Sequence, residues 1–522
     1  MDSRQAKFPR YMVFCVVASC IGSFSNGWTI GSPNIPGETT TSCEHGAAHV
    51  NNRYLPDCLP MDSLQWGIAV STFCLGGLVA SFCTSFFMTR FGRVRTIMYT
   101  NIGWIIGSIL MAFSVSPVMF AVGRFCSGAS CGMNSVATPT YNGEIATIQG
   151  RGTMGTLNQL LIVIGILLSN LVGLAFNSVP LWRVSYGLVI VPALLQMSVM
   201  GLCVESPRYL VSQNDLQGAQ ASLQKLRGAN YDVSYELNDI IEGQQQHQEP
   251  GRKEQEAMAA AAAPRHSIET DGGGDVNVLE KRIAVLSEEG NGSKGAYGFA
   301  DLWTDPVVRR ITLLVVTLHA VQQFSAVNGV MYYSTIIFQQ TFDSRISTYM
   351  AISTSAVNLL VTLLSVYLID RAGRKVLLVT AQAGGCVSAA LLAVAGHLQL
   401  PALLVTSVFL FVTSFAIGLG PIPWLLTSEL SPTHAASAMT SLATAVNWGA
   451  NFLVALVFPG LMDRLHSTSF IIFGAILFVS TIFTLYCVPE TKGKSIEQIN
   501  AMFERAIRAR DAPEEAFHDR VR

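Results

Sequence analysis

The chain has 522 residues, half of them hydrophobic and 13% charged, with a formal net charge of −1. Soluble proteins carry about 25% charged residues, so much of this surface faces something other than water. The near-neutral balance, with no basic face and no base-stacking module, excludes nucleic acid as a partner.

Taken in chain order, Arg4, Lys7 and Arg10 precede an apolar stretch that opens near Tyr11. It is long and lacks a small-residue cleavage site, so it is read as a first membrane span with a cytoplasmic N-terminus. A spanning helix needs about 20 mainly apolar residues. Further spans are expected to start near Leu64, Thr96, Val118, Gly152 and Trp182, then near Val308, Thr348, Val376, Ala402, Ala435 and Thr468. The expectation is an all-α polytopic membrane protein of twelve spans, divided six and six.

Loop charges set the orientation. Arg90, Arg93 and Arg95 follow span two, while Arg371, Arg374 and Lys375 follow span eight, and both clusters fall on the cytoplasmic side. The loop from Pro33 to Asp62 faces outward and holds Glu38, Glu44 and Asp57 against Arg53. Cys43 and Cys58 share that loop, where either a disulfide or two free thiols would fit. The other cysteines lie mostly in apolar runs and read as small buried hydrophobes.

The expected division is a first bundle over 1–204, a cytoplasmic linker over 205–304, a second bundle over 305–490 and a cytoplasmic tail over 491–522. Within the linker, Gln213–Gly228 and Asp232–Ile241 have helical apolar spacing. From 243 to about 297 the Gln-, Ala- and Gly-rich tracts lack periodicity and are expected to be disordered. Asn291-Gly292-Ser293 matches a glycosylation sequon but lies on the cytosolic side, so it is discounted.

The two sets of six repeat each other. Arg90-Phe-Gly-Arg93 matches Arg371-Ala-Gly-Arg374, Glu144 matches Glu429, and Glu205-Ser-Pro-Arg208 matches Pro489-Glu490-Thr-Lys492-Gly493. The offset of about 280 residues and the shared orientation mark parallel repeats, which rock about a central site. With these motifs in this order, the chain resembles the sugar porter family of the major facilitator superfamily, and facilitative glucose transporters within it.

That resemblance implies a twelve-helix major facilitator fold with short cytoplasmic helices, and a charged cytoplasmic ring that ties the halves together. Its members here are Arg90, Arg93, Glu144, Arg151, Glu205 and Arg208 in one half, with Arg371, Arg374, Glu429 and Glu490 in the other. The chain departs from the family pattern at Thr89, Val94 and Ala436, the last standing where an arginine is usual. The second half is then one cation short, and His434 is the expected partial substitute, making gating pH-sensitive.

A sugar needs groups that both donate and accept, together with an aromatic face. Span seven carries Gln322, Gln323 and Asn328 within seven residues. Amides in hydrocarbon are costly unless partnered, so three together point to a polar cavity rather than to amide glue between helices. Gln159, Asn358 and Asn447 are mid-span amides that individually fit either reading. Gly420-Pro-Ile-Pro423-Trp424 breaks span ten, placing Trp424 on a bend beside the cavity. The resemblance implies that Gln159, Gln322, Gln323, Asn328, Asn358, Trp424 and Asn447 contact sugar. It also marks Ala326, where the family has glycine, as a stiffening of span seven, and Ala416 as the replacement of a site carboxylate.

Proton-driven relatives carry an aspartate where this chain has Thr29, and no Asp or Glu lies well inside any expected span. Passive hexose transport, glucose foremost, by a monomer in the plasma membrane is therefore expected. The alternatives are a proton-coupled sugar or polyol symporter and a sugar-sensing receptor. No HExxH or CxxC spacing and no paired intramembrane carboxylates occur, so neither enzyme chemistry, a metal nor a cofactor is expected.

Overall fold

The computed structural model describes residues 8–42, 55–147, 150–248, 298–432 and 435–492, with 494, 499, 502–503 and 505 beyond them. Among these the chain is helical, and twelve long helical segments follow one another. We number them α1 (Arg10–Gly31), α2 (Ser63–Phe91), α3 (Arg93–Ala112), α4 (Pro117–Ile145) and α5 (Arg151–Ala175). Next come α6 (Trp182–Gly187 and Ile190–Met200), α7 (Pro306–Phe324 and Val327–Gln339), α8 (Ser344–Ala372) and α9 (Arg374–His397). The last three are α10 (Pro401–Ser414, a π-helical Phe415–Leu419, and Ile422–Leu430), α11 (Ala436–Leu465) and α12 (Phe470–Cys487).

Starts lie within a few residues of those expected, generally earlier, because the helices run on into the charged turns. Only Gly92 separates α2 from α3, and only Gly373 separates α8 from α9. Their φ angles of 87° and 90° lie in the left-handed region that glycine alone enters without strain. Nine described segments are long and apolar enough to cross a bilayer, the last of which contains both α11 and α12. Helices α3 and α4 are not among them. In α4 the cause is Arg124, Asn134, Thr138 and Asn142, all turned inward and buried.

The burial pattern inverts that of a soluble protein. Phe86, Leu360 and Val479 are exposed, whereas Asn101, Gln196, Gln322 and Asn447 are buried. Apolar side chains facing outward suit lipid, and interior polar groups must then be satisfied within the protein. In the first half, α2 packs on α4, α4 on α3 and α1 on α5; in the second, α9 packs on α12 and α10, and α7 on α11. Two seams join the halves, α2 against α11 and α5 against α8. Close approach depends on glycine: a methyl on Gly128 would overlap the Phe73 carbonyl, and one on Gly27 the Ile162 carbonyl.

Between the halves, short helices Pro207–Ser212, Leu216–Arg227 and Ser234–Gln248 lie beneath the first bundle. Arg227 fastens them there, pairing with Glu236 at 2.6 Å and donating to the Ile145 carbonyl at the end of α4. The third helix continues beyond Ile241, where periodicity fades, to Gln248. The rest of the expected disordered stretch, 249–297, the sequon included, lies outside the described residues, as does His434. Cys58 is disulfide-bonded, and Cys43 lies outside the described residues.

Candidate functional site

The centre of the second half is an amide relay. Asn328 Nδ2 donates to Gln323 Oε1 at 2.7 Å, and Gln323 Nε2 to Asn447 Oδ1 at 3.0 Å. Asn447 Nδ2 donates to Gln322 Oε1 at 2.7 Å and to the His319 carbonyl at 3.2 Å. Gln322 Nε2 completes the run on the carbonyls of Leu419 and Gly420, at 2.7 and 2.8 Å. The relay thus links α7, α11 and the break in α10.

The prolines of α10 explain where the relay ends. Pro421 and Pro423 have no N–H, so the carbonyls four residues earlier, on Ile417 and Leu419, lose their helical donors. Ser365 Oγ of α8 donates to the Ile417 carbonyl at 2.8 Å, and Gln322 takes the Leu419 carbonyl. Buried carbonyls need partners, and the polar side chains of neighbouring helices supply them. The bend carries Trp424, which is half-buried and meets the ring of His319 edge-on at 4.6 Å.

The first half meets this cluster through Gln159 of α5. A Cβ built on Gly420 would lie 3.4 Å from Gln159 Nε2, which places that amide against the break in α10. Asn358 is buried in α8, and its carbonyl oxygen accepts from Thr362 in the same helix rather than from the relay. Of the seven expected contact residues, the structure therefore joins Gln322, Gln323, Asn328 and Asn447 directly, with Gln159 and Trp424 alongside. Ala416 is buried within the π-helical segment.

Beside Trp424 and toward the charged ring lies a cavity of about 30 Å³ between α4 and α5 on one side and α10 on the other. That is roughly one water's share of the liquid, too little for a hexose. In this state the amides satisfy one another instead of lining an open pocket. At the opposite end the halves are bonded together: Asn34 Nδ2 donates to Ser334 Oγ at 3.0 Å, Thr335 Oγ1 to Asn34 Oδ1 at 3.1 Å, and Asn170 Nδ2 to Ser355 Oγ at 2.8 Å.

The charged ring resolves into two matching triads. Arg93 grips Glu144 with two hydrogen bonds of 2.9 and 2.8 Å, while Glu205 accepts from the Arg93 backbone N–H at 2.9 Å. Arg374 pairs with Glu429 at 3.0 Å, and Glu490 accepts from the Arg374 N–H at 3.0 Å. Each of these two pairs lies inside one half. Thr491 Oγ1 takes the second Glu429 oxygen at 2.6 Å, so that carboxylate is satisfied with Ala436 in place of the usual arginine. Arg90 is exposed, Arg208 half-buried, and the Arg371 guanidinium stacks 4.2 Å over Tyr367. The side chain of Arg151 lies outside the described residues.

The triads differ electrostatically. Burial pushes the Glu205 carboxyl above the usual range despite N–H donors on Ser206, Arg93 and Val94. Burial also acts on Glu490, but the N–H groups of Lys492, Arg374 and Lys375, with the Arg374 charge, outweigh it and hold that carboxyl low.

Two buried groups escaped the sequence reading. His319 bonds Thr427 Oγ1 at 2.9 Å, and its Nδ1 has no partner among the described residues. A lone histidine on an apolar helix gives no signal of its own. Arg124, fully buried in α4, donates to the Thr29 carbonyl at 2.7 Å and lies 4.7 Å over the Phe73 ring. A charge in mid-span was the available clue.

The family model described as "Sugar (and other) transporter" matches residues 14–267 and 251–503. Solute carrier family 2, facilitated glucose transporter member 2, of Sus scrofa is 33% identical, covering 97% of this chain and 96% of that protein. Member 3 of Rattus norvegicus is also 33% identical, with 96% and 94% covered. Among solved structures, the proton:xylose symporter XylE bound to 6-bromo-6-deoxy-D-glucose superposes with a TM-score of 0.73 at 21% identity, covering 94% of this chain and 99% of that one. The partially occluded inward open conformation of the xylose transporter XylE from E. coli gives 0.67 at 21% identity, with 93% and 100% covered. These structures share the twelve-helix fold.

Proposed function

Because the chain belongs to the sugar transporter family, we propose that it carries a hexose, glucose first, passively across the plasma membrane by alternating access. The relay of Gln322, Gln323, Asn328 and Asn447 is the observation that carries this reading, since these neutral groups match sugar hydroxyls as donors and acceptors. Gln159 supplies the first half's contact, Trp424 the ring face, and Asn358 a further amide as the pocket opens. Each hydrogen bond nets about 0.5–1.5 kcal/mol, so a handful gives the millimolar affinity a carrier needs in order to release its load. The charged ring faces the cytoplasm with both termini, and the outer-end bonds of Asn34 and Asn170 belong to a state closed to the outside. Bundles 1–204 and 305–490 rock as bodies, joined by the 205–304 linker, and a single chain suffices.

Passive transport rests on α1 and α4. Thr29 stands where coupling would need a titratable carboxylate, and the partners of the Arg124 guanidinium are backbone carbonyls, Thr29 and Val70. The competing reading, proton-coupled uptake of a sugar or polyol, is favoured by the description of XylE as a proton:xylose symporter. Reconstituted vesicles offered labelled glucose, fructose, galactose, xylose and inositol separate the two. Uptake that stops at equilibrium and ignores an imposed pH step supports the proposal, whereas accumulation driven by a proton gradient refutes it.

A further inference from the structure

The small cavity beside Trp424 has walls from both halves: Pro139, Asn142 and Gly143 of α4, Gly155 and Asn158 of α5, and Trp424, Leu425 and Ser428 of α10. It lies on the charged-ring side of the amide relay, since Asn142 precedes Glu144 by two residues and Ser428 adjoins Glu429. Space to widen is built into its walls. A methyl on Gly143 would meet nothing within 4 Å, and one on Gly155 would first meet Leu425 Cδ1 at 3.6 Å.

The polar groups here are held by their carbonyl ends. Ser19 Oγ donates to Asn142 Oδ1 at 2.6 Å, and Ser23 Oγ donates to Asn158 Oδ1. Asn142 Nδ2 has only the weak acceptor Cys20 Sγ at 3.4 Å, and Asn158 Nδ2 has no partner among the described residues. Asn158 is 8% exposed. Packing glue between α1, α4 and α5 accounts for the two serine bonds but leaves the Asn158 donor without a partner among the described residues and the Asn142 donor on a weak sulfur acceptor, beside an opening between the halves where a better acceptor would be favourable.

We propose that Asn142, Asn158 and Ser428 form a second hydroxyl-binding station, on the cytoplasmic side of Trp424, that receives the hexose as it leaves the amide relay. It rests on the carrier reading given above. With the halves rocked apart at this end the cavity widens, the asparagine donors meet sugar hydroxyls, and Trp424 keeps one face on the ring during the transfer. The station exists only while that end is open, so it lowers the energy of the loaded inward-facing state without acting on the outward-facing one.

The test reads half-saturating hexose concentrations at each face of vesicles holding the full chain in one orientation. In Asn158→Leu, losing one hydrogen bond should raise the cytoplasmic-to-external ratio of those concentrations about two- to tenfold. The ratio of maximal rates should rise by the same factor, as a passive cycle requires. Gly143→Val narrows the opening without touching Ser23 and should shift the ratio in the same direction. Unchanged ratios in both variants overturn the station while leaving the carrier reading intact. Wild-type vesicles that equilibrate no hexose overturn the carrier reading itself, and the station with it.

Discussion

At the scale of single residues, Gln322 has two tasks that one substitution separates. It accepts from Asn447 as part of the proposed sugar site, and it replaces the donor that Pro423 denies to the Leu419 carbonyl. Gln322→Ala should raise the half-saturating glucose concentration about tenfold and cost about 1–3 kcal/mol of stability, because buried carbonyls lose their donor. Gln323→Ala, which leaves those carbonyls paired, should weaken transport with a smaller loss of melting temperature. Equal loss of stability in both would contradict the division. The two ring carboxylates differ in a way pH reveals. Glu490 titrates low when folded, so its contribution is present at neutral pH and fades as pH falls through that depressed value. Glu205 titrates high, so its proton-linked contribution is full in acid and is lost as pH rises. Glu490→Gln should therefore lower the melting temperature most at pH 7, with the deficit shrinking in acid, and Glu205→Gln should cost less at pH 7. Identical, pH-independent deficits would count against the assignment.

At the scale of elements, the breaks in α7 and α10 decide what the amides can reach. Ala326 holds φ 65° and ψ 16° between the two segments of α7, and Tyr333 is non-helical at φ −127° and ψ 17°. An alanine in the left-handed region costs roughly 1–2 kcal/mol, where glycine pays almost nothing. The resemblance marked this position as a stiffening; the backbone shows that the residue also sits under strain. Ala326→Gly exchanges that strain for a lost buried methyl, so the melting temperature should change little while turnover rises as the break flexes more freely. Ala326→Val should lower the melting temperature clearly. A stable valine variant would mean that the chain does not hold this conformation. Sequence foresaw the α10 bend from its prolines, because a missing N–H is a local fact. The interruption of α6 has the same local cause, Pro192 denying a helical donor to the Leu188 carbonyl, yet it was missed, and the π-helical turn and the left-handed Ala326 in α7 were not placed either.

Over the whole molecule, spans and repeat were legible because apolar runs and recurring charged motifs are one-dimensional signals. The amide cluster was legible for a related reason: three amides in one apolar helix need an explanation even before the fold is known. Their bonding to one another was not, because it depends on how α7, α10 and α11 pack within the second half. The charged ring shows the same limit. Its residues were readable from the repeated motifs, but not its division into Arg93–Glu144 and Arg374–Glu429 pairs, each inside one half. Arg124 and His319 were missed because isolated polar residues acquire meaning only from neighbours distant in sequence.

The most direct test of the central claim is zero-trans uptake of labelled glucose into vesicles holding the wild-type chain or Asn447→Ala, whose amide joins Gln322 to Gln323. Saturable wild-type uptake in the millimolar range, ending at equal concentrations on both sides, with the variant needing about tenfold more sugar for half-saturation, is the predicted result. Unsaturable wild-type uptake, or a variant with the wild-type saturation curve, would contradict a sugar site built on these amides.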